Sequence, residues 1–195
     1  MNSVALTFDD GPDPRWTSPL LDLLLELGAP ATFFPIAPRA RAHPEIINRM
    51  RKEGHEIGLH GALHIDHSRW PGELVEYDTE LALELHGDPR PRLWRLPYGK
   101  LAPVSVHLAR VHELKLVAWS ANTEDWLASS TAESMLAAVR GELRPGAVIL
   151  MHDAIGPRAS GDARTERTSC EETLEFVPAL VAEIRRRGLE PGPIS

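Results

Sequence analysis

Apolar and polar positions along the chain follow two periods in turn. Short runs rich in β-branched and aromatic residues, at 4–8, 31–34, 56–59, 93–96, 116–120 and 147–151, read as strands. Between them, stretches at 18–27, 44–53, 72–86, 103–114 and 131–143 carry apolar residues at helical spacing. A last helix is expected over 170–187, stopped by Gly188 as a glycine C-cap, with one more short strand within 189–194. Strict alternation of strand and helix predicts a parallel sheet with crossover helices. The fold class is therefore α/β, and the architecture a distorted (β/α) barrel of about seven parallel strands with outer helices. At 195 residues the chain falls short of the roughly 250 that eight full repeats take, which is why a reduced barrel is expected. An open doubly wound sheet is the alternative, but neither a G-x-G-x-x-G nor a G-x-x-x-x-G-K-[ST] loop is present to support it.

No repeat, linker or low-complexity segment divides the chain, so residues 1–195 are expected to form one catalytic domain. A hydrophobic share of 43% and a charged share of 25% are those of an ordinary globular protein. The net charge of −7 argues against nucleic acid and against anionic membrane as partners. The basic cluster Arg185–Arg187 sits at a helix end, where cations complement the dipole. Cys170 is the single cysteine, which excludes an internal disulfide and a cysteine-based zinc knuckle. The chain opens without a charged, then apolar leader and has no stretch long enough to span a membrane. A cytoplasmic location is expected for the chain as written, and secretion if it is trimmed from a longer protein. Residues 154–169 mix Gly, Pro, Ser and charge without a hydrophobic period, and read as a mobile surface loop or a substrate lid.

In a barrel, chemistry sits on the loops that follow the strand C-termini. At those positions stand Asp9 and Asp10, then His60, His64 and His67, then Arg95 and Tyr98, then Asp125 and Trp126, then Leu150, His152 and Asp153. The doubled acid in "LTFDDGPDP" is not explained by turn chemistry, which accounts only for the Gly, Pro and Asp after it. His60 and His64 stand four apart, so one helical turn would aim both at one place, and Gly61 excludes the H-E-x-x-H motif. A carboxylate arriving from another strand, Asp10, completes a His-His-Asp set that leaves a position open for water, as catalytic metal sites do. Two adjacent acids make sense if a divalent cation neutralises one while the other handles the water's proton, the cation having lowered that water's pKa toward about 7.

The segments "TFDDGP", "ATFF", "GHEIGLHGALH", "RLPYG", "EDW" and "LMHD", in that order, resemble the polysaccharide deacetylase (NodB-homology) family, also called carbohydrate esterase family 4. They run from Thr7 to Asp153. The resemblance implies a distorted (β/α) barrel and a metal-dependent N-deacetylase acting on N-acetylated amino sugars. It further implies that Asp10, His60 and His64 bind the metal, zinc or another divalent transition metal such as cobalt. Asp9 would be the general base toward water and Arg95 its partner. The backbone N–H of Tyr98 would support the oxyanion, His152 would be the general acid, and Asp125 would orient His152. Trp126 and Leu150 would wall the pocket for the acetyl methyl. General chemistry agrees: an Asp beside a histidine favours the protonated form that an acid requires.

Two positions depart from the family's pattern. Gly61 stands where Ser or Thr usually props the ligand loop, and Asn122 where Asp is common. Both bear on the substrate rather than on the catalytic groups. His67 reads as a histidine on the surface or behind the ligands, and His43, His55, His86, His107 and His112 as structural or solvated. Trp16, Trp70, Trp94 and Trp119 read as core or rim packing, with Trp70 the one placed to stack on a sugar ring. The expected partner is an N-acetylated sugar or a small acylated amine. The same chemistry on a soluble N-acylated intermediate is the alternative activity. A glycosidase using two carboxylates would leave His60 and His64 idle, and a non-catalytic sugar-binding module would leave the whole set unexplained.

Overall fold

The computed structural model describes residues 2–157 and 166–195. Half of the segment expected as a loop or lid, residues 158–165, thus lies outside the described residues. In chain order the elements are β1 (Ser3–Asp9), α1 (Thr17–Leu27), β2 (Thr32–Phe34), α2 (Ala37–Ala42), α3 (Pro44–Lys52), β3 (Glu56–Ile57), α4 (Gly72–His86) and β4 (Leu93–Trp94). They continue with α5 (Pro103–Val111), β5 (Lys115–Leu116), β6 (Ala121–Asn122), α6 (Ala132–Arg140), β7 (Val148–His152), α7 (Glu171–Arg186) and β8 (Glu190–Gly192).

Every described strand pairing is parallel. The main sheet runs β3-β2-β1-β7-β6, and β4 pairs with β5. A parallel bridge from Leu59 to Trp94 continues β3 onto β4, which turns the two sheets into one curved wall. This is the distorted (β/α) barrel, interrupted between β5 and β6, for which no ladder occurs among the described residues. The C-terminal strand β8 pairs with Ser3–Ala5 at the lower half of β1, while β2 pairs with Thr7–Asp9 at the upper half. β1 therefore has neighbours along its whole length, yet only its upper half lies between β2 and β7.

Alternation along β1 separates two environments, because successive strand side chains point to opposite faces. Val4, Leu6 and Phe8 pack into an apolar cluster with Leu20, Leu21 and Leu24 of α1 and Phe176, Leu180 and Ile184 of α7. Thr7 and Asp9 face the other way, into the barrel, where both meet Arg95. A second cluster gathers Leu59, Ala62, Val75, Leu83, Trp94 and Leu108 under α4 and α5.

Three sequence expectations change. The fifth run is a strand only over Lys115–Leu116, and the chain then turns into a separate strand, β6, so Asp125 follows β6. Helix α2 was not anticipated. The loop carrying His60 and His64 is not a helical turn: Gly61 and His64 have φ of 78° and 52°, in the left-handed region.

Candidate active site

All the singled-out strand-end residues meet at one end of the barrel. The base of the cleft is Arg95, at 0% exposure among the largest fully buried side chains. Its guanidinium donates from Nη1 to Asp9 Oδ1 at 2.8 Å and to Thr7 Oγ1 at 2.7 Å. Nη2 reaches the carbonyl of Ala118 at 3.4 Å, and the group lies 4.3 Å from the Phe34 ring centroid. Arg95 thus crosses the barrel interior from β4 to β1 and to the connection between β5 and β6.

Beside it, Asp10, His60 and His64 present one ligand atom each, all within 4.8 Å of one another. His64 Nε2 lies 3.2 Å and His60 Nε2 3.5 Å from Asp10 Oδ1, and His60 Nε2 is 3.8 Å from Asp9 Oδ2. His60 Nδ1 contacts the carbonyl of Arg95 at 2.8 Å; a carbonyl only accepts, so Nδ1 carries the proton and Nε2 keeps its lone pair. Burial lowers the His60 pKa, which favours this neutral, ligating form. His64 Nδ1 meets the Tyr98 hydroxyl at 3.1 Å. Burial would raise the Asp10 pKa, but the neighbouring histidines, His64 foremost, hold the carboxyl well below the usual range. Asp10 Oδ1 is buried and has no hydrogen-bond partner among the described residues. An orphaned carboxylate oxygen facing two imidazole nitrogens fits a divalent cation, since an unpaired buried oxygen is costly.

The loop geometry that brings these groups together is specific. Asp10 itself adopts φ 77°. A Cβ on Gly11 would lie 2.0 Å from Asp153 Oδ2, so only glycine lets Asp153 approach. Asp153 accepts from Gly11 N–H at 3.1 Å and from Thr17 Oγ1 at 2.6 Å. Burial, aided by the charge of Asp10, pushes the Asp153 pKa up to about 7. On the histidine side, Asp78 of α4 is fully buried and accepts from the backbone N–H groups of Ala62, at 3.0 Å, and Leu63.

Opposite the triad, His152 and Asp125 form a second unit. Asp125 Oδ1 accepts from His152 Nδ1 at 2.7 Å, and Oδ2 accepts from the His152 backbone N–H at 2.9 Å. Burial works against a charged His152, but the Asp125 carboxylate outweighs it and holds the pKa up at about 9. Asp125 in turn is held at about 2: burial opposes this, and His152 and Arg167 overcome it. Between the two units lies a cavity of about 590 Å³ whose walls include Leu96, Trp119, Trp126, Leu127, Leu150 and Ile155. Tyr98, in the left-handed region at φ 56°, also lines it.

All ten residues singled out from sequence for catalysis, metal or substrate are brought to this end; eight of them touch the cavity, and Arg95 and Asp125 lie directly behind it as partners of Asp9 and His152. His67 is not part of the triad: it is buried behind it, with Nδ1 at 2.9 Å from Ser105 Oγ. Trp70 is half-exposed and does not line the cavity. Asn122 does line it, and its Oδ1 accepts from Glu124 N–H at 3.0 Å, a bond that Asp would make equally well. Arg167, Thr173 and Asp78 had no sequence signal. Asp153 had one, its place after His152, but it reads equally well as a turn residue.

A barrel with titratable groups at the strand C-termini and an Asp-His-His triad able to hold a cation has the layout of a metal-assisted enzyme. The family model for polysaccharide deacetylase matches residues 1–117. A chitooligosaccharide deacetylase of Bradyrhizobium sp. (strain ANU 289) is 35% identical over 198 residues, covering 98% of this chain and 89% of that one. A peptidoglycan-N-acetylglucosamine deacetylase of Bacillus cereus is 31% identical over 189 residues, covering 95% and 83%. Among solved structures, a family 4 carbohydrate esterase from Streptomyces lividans in complex with acetate superposes with a TM-score of 0.85 at 26% identity, covering 99% of this chain and 93% of that one. The chain belongs to the polysaccharide deacetylase family and is a hydrolase acting on amide bonds. No helix among the described residues is long and apolar enough to cross a membrane.

Proposed function

We propose that the chain, working as one catalytic domain, removes the acetyl group from N-acetylated amino sugars of chitooligosaccharide or peptidoglycan type. The observation that carries this reading is the meeting, in one cavity, of an Asp-His-His triad, a second acid and a histidine paired with a buried carboxylate. Relatives whose names state this activity, at 35% and 31% identity, support it. Asp10, His60 and His64 would hold the cation, zinc by the mixed nitrogen and oxygen donor set. When bound, such an ion supplies a Lewis acid and acidifies water.

This chain's own residues do the rest. Asp9, held as an acceptor by Arg95, takes a proton from the attacking water. Oxygen bonds to the acetamide carbon, and the negative charge on the former carbonyl oxygen is met by the Tyr98 backbone N–H. The carbon–nitrogen bond then breaks with its electron pair on nitrogen, which takes the proton of His152 Nε2 as free amine departs. Asp125 keeps the His152 ring in the orientation and tautomer this needs. Trp126 and Leu150 wall the space for the methyl group.

Acetate release from N-acetylglucosamine oligomers, with zinc and after chelation, tests the proposal. Chelator-sensitive release is expected. No release from folded, zinc-loaded protein would overturn it. One observation favours small acylated amines as a second substrate class: residues 154–157 and 166–167 wall the cavity, with the Tyr98 hydroxyl 3.4 Å from the Pro157 carbonyl and a bridge from Leu127 to Glu166.

A further inference from the structure

Arg167 lies beyond every motif segment and beyond the part of the chain that the family model matches. It is nonetheless 9% exposed and turned inward. Nη1 lies 3.2 Å from Asp125 Oδ2 and also donates to Thr173 Oγ1, whose own hydroxyl donates to the same Asp125 oxygen at 3.0 Å. Nη2 donates to the backbone carbonyl of His152 at 3.0 Å. The backbone N–H of Arg167 donates to the carbonyl of Trp126 at 3.0 Å.

A buried guanidinium that binds a carboxylate, a hydroxyl and the carbonyl of the residue carrying the imidazole is not explained by burial of apolar surface. Taking the ion out of water is costly, and only this full set of partners compensates. His152 is held at two backbone atoms and one ring atom. Asp125 Oδ2 takes its N–H, Arg167 takes its carbonyl, and Asp125 Oδ1 takes Nδ1. Without Arg167, Asp125 Oδ2 would retain, among the described residues, only Thr173 and the His152 N–H, and the His152 carbonyl would lose this donor.

We propose that Arg167 is a positioning residue of the deacetylation reaction: it clamps Asp125 and His152 so that the ring points its free nitrogen at the leaving amine. It does not touch substrate; it acts through the acid pair. The planar fork of arginine is what allows one side chain to serve three acceptors, which a lysine point charge serves only in part. The inference rests on the proposed function, in which His152 protonates the leaving nitrogen.

The test compares the full zinc-loaded chain with Arg167→Gln and Arg167→Lys on an N-acetylglucosamine oligomer and on 4-nitrophenyl acetate. The phenolate of the latter leaves without a proton. R167Q is expected to lose roughly tenfold or more in kcat on the amide, with KM and the ester rate within about threefold of the parent, because only the amide needs the acid. R167K should recover part of the amide rate. Bound zinc should be unchanged in both variants. Equal losses on amide and ester, or no loss on either, would overturn the proposal. A readout independent of turnover is the downfield Nδ1–H proton resonance of His152 in labelled protein. It should be sharp in the parent, and broadened by exchange in R167Q. An unchanged resonance in R167Q would also overturn the clamp. Failure of the parent to hydrolyse the oligomer would instead count against the proposed function, with the resonance still reporting on Arg167.

Discussion

Arg95 holds Asp9 and positions His60 at the same time: its guanidinium donates to Asp9 Oδ1 at 2.8 Å, and its backbone carbonyl fixes His60 Nδ1 at 2.8 Å. The proposed base and a proposed metal ligand therefore share one support. Arg95→Met should cost about 3–5 kcal/mol, the range for breaking a buried ion pair, because Asp9 is left charged and buried. The check is denaturant unfolding of the metal-free protein, so that lost metal affinity is not counted as lost packing.

Asp9 and Asp10 are neighbours in sequence but belong to different units. Asp9→Asn should keep bound zinc and lose roughly 10²–10⁴-fold in kcat, the size of a general-base contribution. His60→Ala should lose both. Elemental analysis after dialysis, beside acetate release, separates the two; zinc-free H60A with parental activity would contradict the triad.

His152→Ala should retain zinc and slow amide hydrolysis by roughly 10²–10⁴-fold while sparing activated esters. With its pKa held at about 9, His152 is protonated through neutral pH, so amide turnover should fall as pH rises through about 9. Asp125→Asn removes the main cause of that raised value and should move the alkaline limb down by roughly one to three units. The stability effect has the same sign. The folded pKa lies above the ordinary 6.5, so the pair stabilises fully below about 6.5 and loses that contribution as pH rises through about 9. Unfolding measured across pH 6 to 10, in parent and D125N, is the check.

Gly61 has φ 78°, and a Cβ there would sit 2.7 Å from Asp78 Oδ2. Gly61→Ala should cost about 1–3 kcal/mol through the left-handed backbone alone and disturb the loop that Asp78 holds. Melting temperature and zinc affinity should both fall. A neutral G61A would show that the loop relaxes without Asp78.

The strand-end chemistry was legible because barrels place catalytic groups at strand C-termini and the relevant strands are short, apolar and bounded by Gly, Pro and Asp. β6 was not, since two residues, Ala121–Asn122, carry no period. Nor was α2, whose sequence APRARA offers proline and arginine in place of an apolar stripe. The spacing of His60 and His64 suggested a helical turn; the glycine at 61 instead lets the backbone turn left-handed, and the two rings converge by that route. Asp78 and Arg167 act through contacts set by tertiary packing, on Ala62 and Leu63 in one case and on Asp125 in the other. No local pattern encodes such partners.

The two apolar clusters give the triad a mechanical meaning. Asp10 leaves β1, whose Phe8 belongs to the first cluster, while His60 and His64 bracket Ala62, which belongs with Leu59 to the second. An ion held by all three is a cross-link between separately packed halves. Loading should therefore merge their opening reactions into one, with slow amide exchange spreading from β1 and β7 to residues 59–64. In this chain the reagent for catalysis would also be the fastener of the barrel.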